Sequence, residues 1–442
     1  MQMKLFTPFE LATFPRGPVY LGYEVIMDLA GVAILVGVAM ALFRRLVLRP
    51  KAMPSRWDDY FALVLLGIIP LAGFTVEATR MVTFPTESAR WSPIGSWLAG
   101  VLRDLGVTPE AAAWWHTPLF WGHAALGLTL LVSIPFTKMR HTVMMPINVA
   151  VRSRRRPSAL ATIHDIENAE TLGVGTVAEF APTQLLELDA CVRCGRCEEA
   201  CPANACDASF SPRALVQGMR SALVSDLVEA GDKPPLTLMG EAVPEDKPWQ
   251  CTTCGGCIAA CPGFINPAGA LVDLRRYQVM TTGEVPRAVG DTLRNFERQS
   301  NPWGLPADDR AVRVKALGVR MVAPGEEVDT LLYLGCAFTY DDRNGKAARA
   351  LIDVLTRSGV DFGVLGEGEL CCGESARRMG HEYMFQEMAR ANIDRLGAVR
   401  FRRIVTACPH CYNTFKQEYP DLDAHLEVRH HTEVLAEVGR GS

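Results

Sequence analysis

Three long apolar runs fill the first 150 residues of the chain, whereas shorter apolar runs alternate with polar positions further on. The long runs cover residues 21–43, 60–76 and 117–137. Each is close to the roughly 20 apolar residues that a helix needs to cross a bilayer. Glu24 and Asp28 interrupt only the opening turns of the first run. The pattern predicts an α-helical transmembrane bundle of three helices within residues 1–150.

The last hundred residues show a different pattern, in which short apolar runs are separated by stretches of helical periodicity. We predict strands at residues 331–334, 362–365, 403–407 and 426–430, with helices at 346–357 and 376–396. Strands that alternate with helices are typical of a parallel α/β sheet. An α/β domain with a parallel sheet is therefore expected at residues 329–442. Residues 151–183 are predicted to be a polar linker and residues 277–328 a connector rich in proline and glycine near residue 303.

Lysine and arginine near the ends of the apolar runs predict the orientation of the membrane domain. Basic residues are concentrated at 44–56, between the first two runs, and at 138–156, after the third. Such segments normally face the cytoplasm. We therefore expect the chain in the cytoplasmic (inner) membrane, with the N-terminus and residues 80–115 outside and the remainder facing the cytoplasm. The N-terminus does not resemble a signal peptide.

Four charged residues fall near the predicted outer face of the membrane domain. Ordinary interfacial charge is the favoured interpretation, and a proton path to a quinone is the alternative. The residues are Glu24, Asp28, Glu77 and Arg80.

Composition narrows the classes of function. Hydrophobic residues make up 49% of the chain and the mean hydropathy is +0.10, as expected for a protein with membrane segments. The net charge of -4, without a basic face interleaved with aromatic residues, argues against a nucleic-acid partner. The 14 cysteines are gathered into runs, which indicates metal binding in a reducing compartment instead of secreted disulfides.

Two of these runs have the form CxxCxxCxxxCP and lie within residues 184–276. Such a repeat is typical of ferredoxins with two [4Fe-4S] clusters, in which the fourth cysteine of each run binds the cluster of the other run. Zinc is the alternative, but a zinc site needs only four ligands and does not require this repeated spacing. We therefore predict one cluster bound by Cys191, Cys194, Cys197 and Cys261, and a second bound by Cys251, Cys254, Cys257 and Cys201.

A further five cysteines follow the predicted strands of the last domain. Ligands at the carboxyl ends of parallel strands converge on one crevice, so a third metal or thiol-redox site is expected there, with zinc as the alternative. The remaining cysteine, Cys206, is predicted to be a buried spare thiol. The five form the pattern C, CCG, CPHC: Cys336, Cys371, Cys372, Cys408 and Cys411.

Two histidines, one in the third apolar run and one just after it, carry a family resemblance. His123 and His141 are 18 residues apart, roughly 27 Å along a continuous helix. The segment WGHAALGLTLLVSIPFTKMRHTVMMPIN resembles the last helix of the nitrate reductase gamma-subunit family of cytochromes b. That resemblance implies haem b bound by His123 and His141. The helix that supplies the partner histidines in the family is missing here, so either another chain completes the haem sites or the haems have been lost.

The order of the modules resembles that of heterodisulfide reductase-related membrane-bound iron-sulfur oxidoreductases. The segments that carry this resemblance are the two cysteine runs, the connector RNFERQSNPWGLP and the CCG motif. The resemblance implies that the five cysteines of the last domain hold a third, non-cubane [4Fe-4S] cluster, with Cys371 and Cys372 as catalytic residues. Family members commonly carry two such cysteine-rich domains. We therefore expect this chain to be one subunit of a larger respiratory complex.

Three functions are compatible with this organisation. The first is electron transfer between a cytoplasmic donor, such as electron-transfer flavoprotein, and membrane quinone. The second is a heterodisulfide or thiol-protein reductase that acts on a thiol protein or a disulfide at the CCG cluster. The third is a subunit that only relays electrons for active sites in its partners. The sequence favours the first.

Overall fold

The computed structural model describes residues 18–441 except 51–52, 54, 86, 154, 158, 207 and 229–233. The prediction of an external N-terminus falls on residues 1–17 and lies outside the described residues. The chain divides into two compact units. The first, the membrane unit, contains the residues up to Met144 together with the short segment Val192–Gly195. The second, the cysteine-rich unit, contains Met145–Cys191 and the chain from Arg196 onward.

Long helices build the membrane unit, and α5 continues from it into the second unit. Helix α2 has Asp58 and Asp59 in its first turn, where carboxylates interact favourably with the helix dipole. Pro109 opens α4, and the Thr108 hydroxyl accepts a hydrogen bond from the Ala111 amide at 3.3 Å. The helices are α1 Pro18–Phe43, α2 Trp57–Thr83, α3 Pro93–Asp104, α4 Pro109–Ser133 and α5 His141–Val151.

Two helices among the described residues, Pro18–Leu48 and Trp57–Thr83, are long and apolar enough to cross a membrane. A third span results if Pro109–Ser133 and Lys138–Val151 are counted together, but these two helices meet at an angle of 75°. The expectation that His123 and His141 lie on one continuous helix is therefore wrong. The chain leaves the helix between Ser133 and Lys138, so the separation of 27 Å does not apply.

The membrane unit buries charge and exposes apolar side chains. Glu24 is 6% exposed and Asp28 is 3% exposed, whereas Ile26 between them is 65% exposed. Arg80 Nη2 lies 3.3 Å from Glu24 Oε1, and Asp28 Oδ2 accepts a hydrogen bond from the Ile94 amide at 2.7 Å. The interpretation of these groups as ordinary interfacial charge is therefore wrong, because they are paired inside the bundle. An apolar exterior of this kind suits a lipid environment.

Helices α2 and α4 pack antiparallel. Thr79 Oγ1 lies 3.1 Å from His116 Nδ1 near one end, and Asp59 Oδ1 lies 2.8 Å from Lys138 Nζ at the other. Asp59 also pairs with Arg45 at 3.1 Å, so one buried carboxylate in the first turn of α2 joins the segments that follow α1 and α4. We call this end of the membrane unit the basic end.

The cysteine-rich unit begins with a helical region that surrounds the two CxxCxxCxxxCP runs. Proline occupies the first turn of several of these helices, and the Asn266 side chain caps one of them by accepting a hydrogen bond from the Gly269 amide. The helices are α6 Pro182–Ala190, α7 Arg196–Glu199, α8 Pro202–Ala205, α9 Pro212–Val228, α10 Gly256–Ala259, α11 Pro267–Tyr277, α12 Arg287–Gln299 and α13 Ala307–Lys315.

A four-stranded sheet follows, and the prediction of parallel strands is confirmed. All neighbouring strands pair in parallel, in the order β2-β1-β3-β4. The predicted helix at 376–396 is instead two helices separated by a turn at Gly380. The elements are β1 Glu327–Tyr333, α14 Gly335–Tyr340, α15 Asp342–Arg357, β2 Phe362–Gly363, α16 Glu374–Arg378, α17 Glu382–Gly397, β3 Arg400–Thr406, α18 Pro409–Asn413, β4 Val428–His430 and α19 His431–Gly441.

A buried network of charges holds the sheet domain against the helical region of the same unit. The fully buried Arg377 binds Glu382 at 2.9 Å and Glu418 at 2.8 Å. Arg276 of α11 reaches the same Glu382 at 2.6 Å. Buried ion pairs of this kind offset their desolvation cost only when every charge has a partner. The network therefore specifies one arrangement of α11 against the sheet domain.

Candidate iron-sulfur centres

The second cysteine run forms one wall of a cavity, and Cys201 of the first run forms another. Cys251, Cys254 and Cys257 line this cavity together with Cys201, among the apolar side chains of Phe210, Pro212 and Pro267. The left-handed Gly255 begins α10 and lets the chain turn between Cys254 and Cys257. The structure thus brings together the four residues that the sequence assigns to the second cluster.

Electrostatics in this cavity suit thiolates that bind a cationic centre. Burial raises the pKa of Cys257 to about 12. The negative charges of the neighbouring Cys251, Cys254 and Cys201 make a smaller contribution in the same direction. Burial likewise raises the pKa of Cys251. Four mutually repelling thiolates in an apolar cavity need positive charge between them, which iron supplies in cysteine-bound clusters. The donor set therefore fits a [4Fe-4S] cluster.

The ligands predicted for the first cluster lie at the ends of short helices, but Cys194 belongs to a different compact unit from its partners. Cys191 follows α6 and Cys197 lies in α7, while Cys194 lies in the Val192–Gly195 segment of the membrane unit. The set Cys191, Cys194, Cys197 and Cys261 therefore stays a prediction from the spacing.

A contact within the membrane unit involves the loop that carries Cys194. Arg193 adopts a left-handed conformation (φ 57°), and its guanidinium forms an ion pair with Asp58 in the first turn of α2. Nothing in the local sequence identifies Asp58 as the partner of Arg193, because the two residues are 135 positions apart. The pair attaches this cysteine-bearing loop to the basic end of the membrane unit.

The five cysteines of the sheet domain meet in one buried site. The sulfur atoms of Cys336 and Cys371 are 3.4 Å apart. Cys372 interacts with Cys371 and Cys411, and Cys411 interacts in turn with Cys408. Gly335 makes this approach possible, because a Cβ at that position would lie 2.9 Å from the sulfur of Cys411. The convergence predicted at the strand ends is therefore present in the structure.

Hydrogen bonds differentiate the five thiols. Hydrogen bonding to Cys411, supported by His410, lowers the pKa of Cys408 to about 4. The hydrogen bond between His410 and Cys408 raises the pKa of His410 to about 9. Hydrogen bonding from Cys371 and Cys411 lowers the pKa of Cys372 to about 7. The pKa values of Cys336, Cys371 and Cys411 are instead raised, so the arrangement favours a thiolate at Cys408 beside a protonated His410.

A buried ion pair supports the backbone next to Cys336. Glu369 accepts hydrogen bonds from the Leu334 and Gly335 amides at 2.9 Å and 3.1 Å, and Arg310 binds the same carboxylate at 2.7 Å. Both charged side chains are almost fully buried. Sequence reasoning missed them, although Glu369 lies two positions before the CCG motif.

Arg275 connects the second cysteine run to the sheet domain. Its guanidinium donates to the carbonyl oxygens of Cys251 and Arg378, each at 2.7 Å. The backbone of α11 lies so close to the sheet domain that a Cβ on Gly380 would be 2.5 Å from the carbonyl carbon of Arg275. Because Arg378 ends α16, which begins directly after the CCG motif, this contact joins the two candidate centres.

The two histidines assigned to haem lie on different helices, His123 in α4 and His141 at the start of α5. His123 faces α2 at Gly73, where a Cβ would lie 3.2 Å from its Cε1 atom. His141 Nδ1 lies 2.5 Å from the Lys138 carbonyl oxygen at the start of α5. Helix α2 contains no histidine, so it supplies no histidine ligand opposite His123.

Cys206 is exposed, so the prediction of a buried spare thiol is wrong. It caps the C-terminus of the short helix α8. Among the residues that the structure describes, no three His, Cys, Asp or Glu side chains are arranged to hold a single metal ion.

Comparisons with protein families match all three modules. Residues 18–156 match the nitrate reductase gamma subunit, residues 184–262 match the 4Fe-4S dicluster domain, and residues 330–416 match the cysteine-rich CCG domain.

Several known proteins align with more than half of this chain. The EtfAB:quinone oxidoreductase of Syntrophomonas wolfei is 33% identical over 96% of this chain and 64% of its own length. The probable iron-sulfur-binding oxidoreductase FadF of Bacillus subtilis is 30% identical over 96% of this chain and 66% of its own length. One component of the dihydromethanophenazine:CoB--CoM heterodisulfide reductase of Methanosarcina barkeri is 29% identical over 58% of this chain and 64% of its own length.

The relatives are named as oxidoreductases or a reductase, and the matched modules of this chain are a nitrate reductase gamma-like membrane domain, a 4Fe-4S dicluster domain and a CCG domain. The chain is similar to membrane-bound iron-sulfur oxidoreductases related to heterodisulfide reductase, and the gamma-subunit match together with the long apolar helices indicates membrane association. It spans just under two thirds of the length of the first two relatives, 64% and 66%. No solved structure matches it.

Proposed function

We propose that this chain passes electrons between a cytoplasmic donor, such as electron-transfer flavoprotein, and quinone in the membrane. The observation that carries the proposal is the position of the cysteine sites. Arg275 joins the Cys251 segment to the CCG domain, and the loop bearing Cys194 belongs to the unit of the membrane helices. The relative named EtfAB:quinone oxidoreductase supports the choice of donor and acceptor.

The chain's own residues hold the centres that this function needs. Iron-sulfur clusters supply one-electron carriers whose potentials depend on hydrogen bonding, net charge and exposure. We assign the first cluster to Cys191, Cys194, Cys197 and Cys261, and the second to Cys251, Cys254, Cys257 and Cys201. The five-cysteine site would hold a third cluster. Arg275 orients the Cys251 backbone beside the second cluster, and Glu369 orients the Leu334–Gly335 backbone beside the third.

Burial at the five-cysteine site favours a relay over direct thiol chemistry. Cys371 and Cys372 are each 2% exposed, and Cys336, the most accessible of the five, is 9% exposed. A disulfide substrate would have to reach one of these sulfur atoms, whereas an electron does not need such access.

The second candidate function is reduction of a heterodisulfide or a thiol protein, with Cys371 and Cys372 as catalytic residues. The complete five-cysteine set and the similarity to the heterodisulfide reductase of Methanosarcina barkeri support it. The third possibility, a subunit that only relays electrons, differs from the first in placing the quinone site on another chain. Haem b at His123 and His141 belongs to the proposal only if another subunit supplies the missing ligands.

We further propose that the cysteine-rich unit faces the cytoplasm and that other subunits complete the complex. Two positive charges at the basic end support this orientation through the positive-inside rule: Arg45, which follows α1, and Lys138, which follows α4.

The test is turnover of the cluster-loaded full chain in lipid nanodiscs with reduced electron-transfer flavoprotein and a soluble quinone analogue. We expect quinone reduction that falls at least 100-fold in Cys372→Ser. The exposed Cys206→Ser is the matched control and should retain full turnover. Absence of quinone reduction by the wild-type protein, with all cluster signals present, would refute the proposal. Reduction of a heterodisulfide instead would support the second candidate.

A further inference from the structure

A groove on the surface of the membrane unit lies between α2 and α4 at the basic end. It has a volume of about 460 Å³ and is open along one side. The lining is mostly apolar, with three hydroxyl side chains spaced four residues apart on one wall. The lining residues are Trp57, Phe61, Leu128, Thr129, Val132, Ser133, Phe136 and Thr137.

The groove adjoins the loop that carries Cys194. Trp57 begins α2 and lines the groove, and the next residue, Asp58, forms the ion pair with Arg193. At the other wall, Thr137 precedes Lys138, whose ammonium binds Asp59 at 2.8 Å. All of these residues belong to the membrane unit, so the groove, the loop and this ion pair lie at one end of it.

We propose that this groove binds the head group of a membrane quinone. This inference rests on the proposed function and locates its acceptor site. A quinone that exchanges electrons with a centre near Cys194 must bind at the end of the helices to which the loop is attached. The buried Glu24, Asp28 and Arg80 group is the other polar site in the described bundle that could serve a quinone. Arg80 lies 22 residues beyond Asp58 on α2, about 33 Å along the helix axis.

The chemistry of the groove suits a quinone. An open apolar wall between two lipid-facing helices admits a hydrocarbon tail from the membrane. The hydroxyls of Thr129, Ser133 and Thr137 each donate to a backbone carbonyl oxygen at 2.8 Å, and a hydroxyl can rotate to donate to a quinone carbonyl instead. Reduction of the quinone to a quinol takes two electrons from the cysteine-bound centres and two protons from water at the same face.

A matched pair of substitutions on adjacent residues of α4 tests the inference. Val132 lines the groove and is 65% exposed, whereas Leu131 does not line it and is 62% exposed. Both side chains face outward, so a tryptophan at either position can be accommodated without disturbing the core. Val132→Trp should fill the groove, and Leu131→Trp should leave it open.

The experiment uses the cluster-loaded full chain in lipid nanodiscs, reduced with dithionite and mixed with a short-tailed quinone. We expect Val132→Trp to slow reoxidation of the clusters at least 10-fold and Leu131→Trp to change it less than 2-fold. Reoxidation by a water-soluble dye should be unchanged in both. An azidoquinone should label α4 near Val132 in the wild-type protein.

Equal rates for the two variants, or labelling near Arg80 instead, would overturn the inference. Labelling of Val132 that ordinary phospholipid displaces would show a lipid acyl chain in the groove and would overturn it as well. Failure of the wild-type clusters to react with quinone at all would contradict the proposed function itself. The two failures are therefore distinguishable.

Discussion

At the scale of single residues, the exchange of fourth ligands between the two cysteine runs can be tested directly. Cys201 lines the cavity of the second run, although it belongs to the first run in sequence. We predict that Cys201→Ser damages the cluster bound by Cys251, Cys254 and Cys257 and leaves the other [4Fe-4S] signal intact. Electron paramagnetic resonance of the reduced protein measures both signals.

The reciprocal substitution, Cys261→Ser, should damage only the cluster assigned to the first run. Cys206→Ser is the control, because Cys206 is exposed and does not line the cavity of the second run. If Cys201→Ser removed the same signal as Cys191→Ser, the crossed assignment would be wrong.

A second prediction at this scale concerns the buried pair of Arg310 and Glu369. Arg310→Met leaves the Glu369 carboxylate buried without its counter-ion, and such losses cost about 3–5 kcal/mol. Arg313→Met is the matched control, because Arg313 is 40% exposed and pairs with the exposed Asp342. Exposed pairs contribute about 1 kcal/mol or less.

Thermal unfolding of the cluster-loaded protein compares the two arginine variants. We expect a clear fall in the unfolding temperature for Arg310→Met and little change for Arg313→Met. Equal effects would show that Glu369 does not depend on Arg310 for its charge.

At the scale of elements, the contact between α11 and the turn at Gly380 determines how the second cysteine run meets the CCG domain. Gly380 has φ +98°, and a Cβ there would lie 2.5 Å from the backbone of Arg275. Gly380→Ala should therefore destabilise the protein by about 1–3 kcal/mol and displace α11. Gly397→Ala, at the end of α17, has nothing within 4 Å of the added Cβ and serves as control.

We expect Gly380→Ala to keep the cluster signals but to slow electron equilibration between the second cluster and the five-cysteine site. Rapid freeze-quench spectroscopy measures the rate of this equilibration. Unchanged equilibration in a protein with a displaced α11 would show that the Arg275 contact does not matter for electron transfer.

Elements also show where sequence reasoning succeeded and where it stopped. The parallel sheet followed from the alternation of strands and helices, because that pattern is local. The break after Ser133 was missed because the apolar run continues through it. Arg275, Asp58 and Glu369 were missed for a related reason, since their partners are distant in sequence. The spacing of the cysteines was informative because most ligands of one cluster lie close together in the sequence.

At the scale of the whole molecule, the orientation in the membrane can be tested with a native side chain. Cys206 is exposed and lies in the cysteine-rich unit. If that unit faces the cytoplasm, a membrane-impermeant maleimide should label Cys206 in inverted vesicles and not in right-side-out vesicles. Cys206→Ser gives the background. Labelling from the outside would reverse the proposed topology.

The central claim is that electrons pass between these cysteine sites and a quinone in the membrane. The most direct measurement mixes quinol with the oxidised, cluster-loaded full chain in nanodiscs and records the paramagnetic signals of the clusters over time. The reverse reaction is measured by mixing quinone with the dithionite-reduced protein. The account predicts that the clusters are reduced by quinol or reoxidised by quinone within the turnover time. Clusters that are fully assembled but inert in both directions would contradict it.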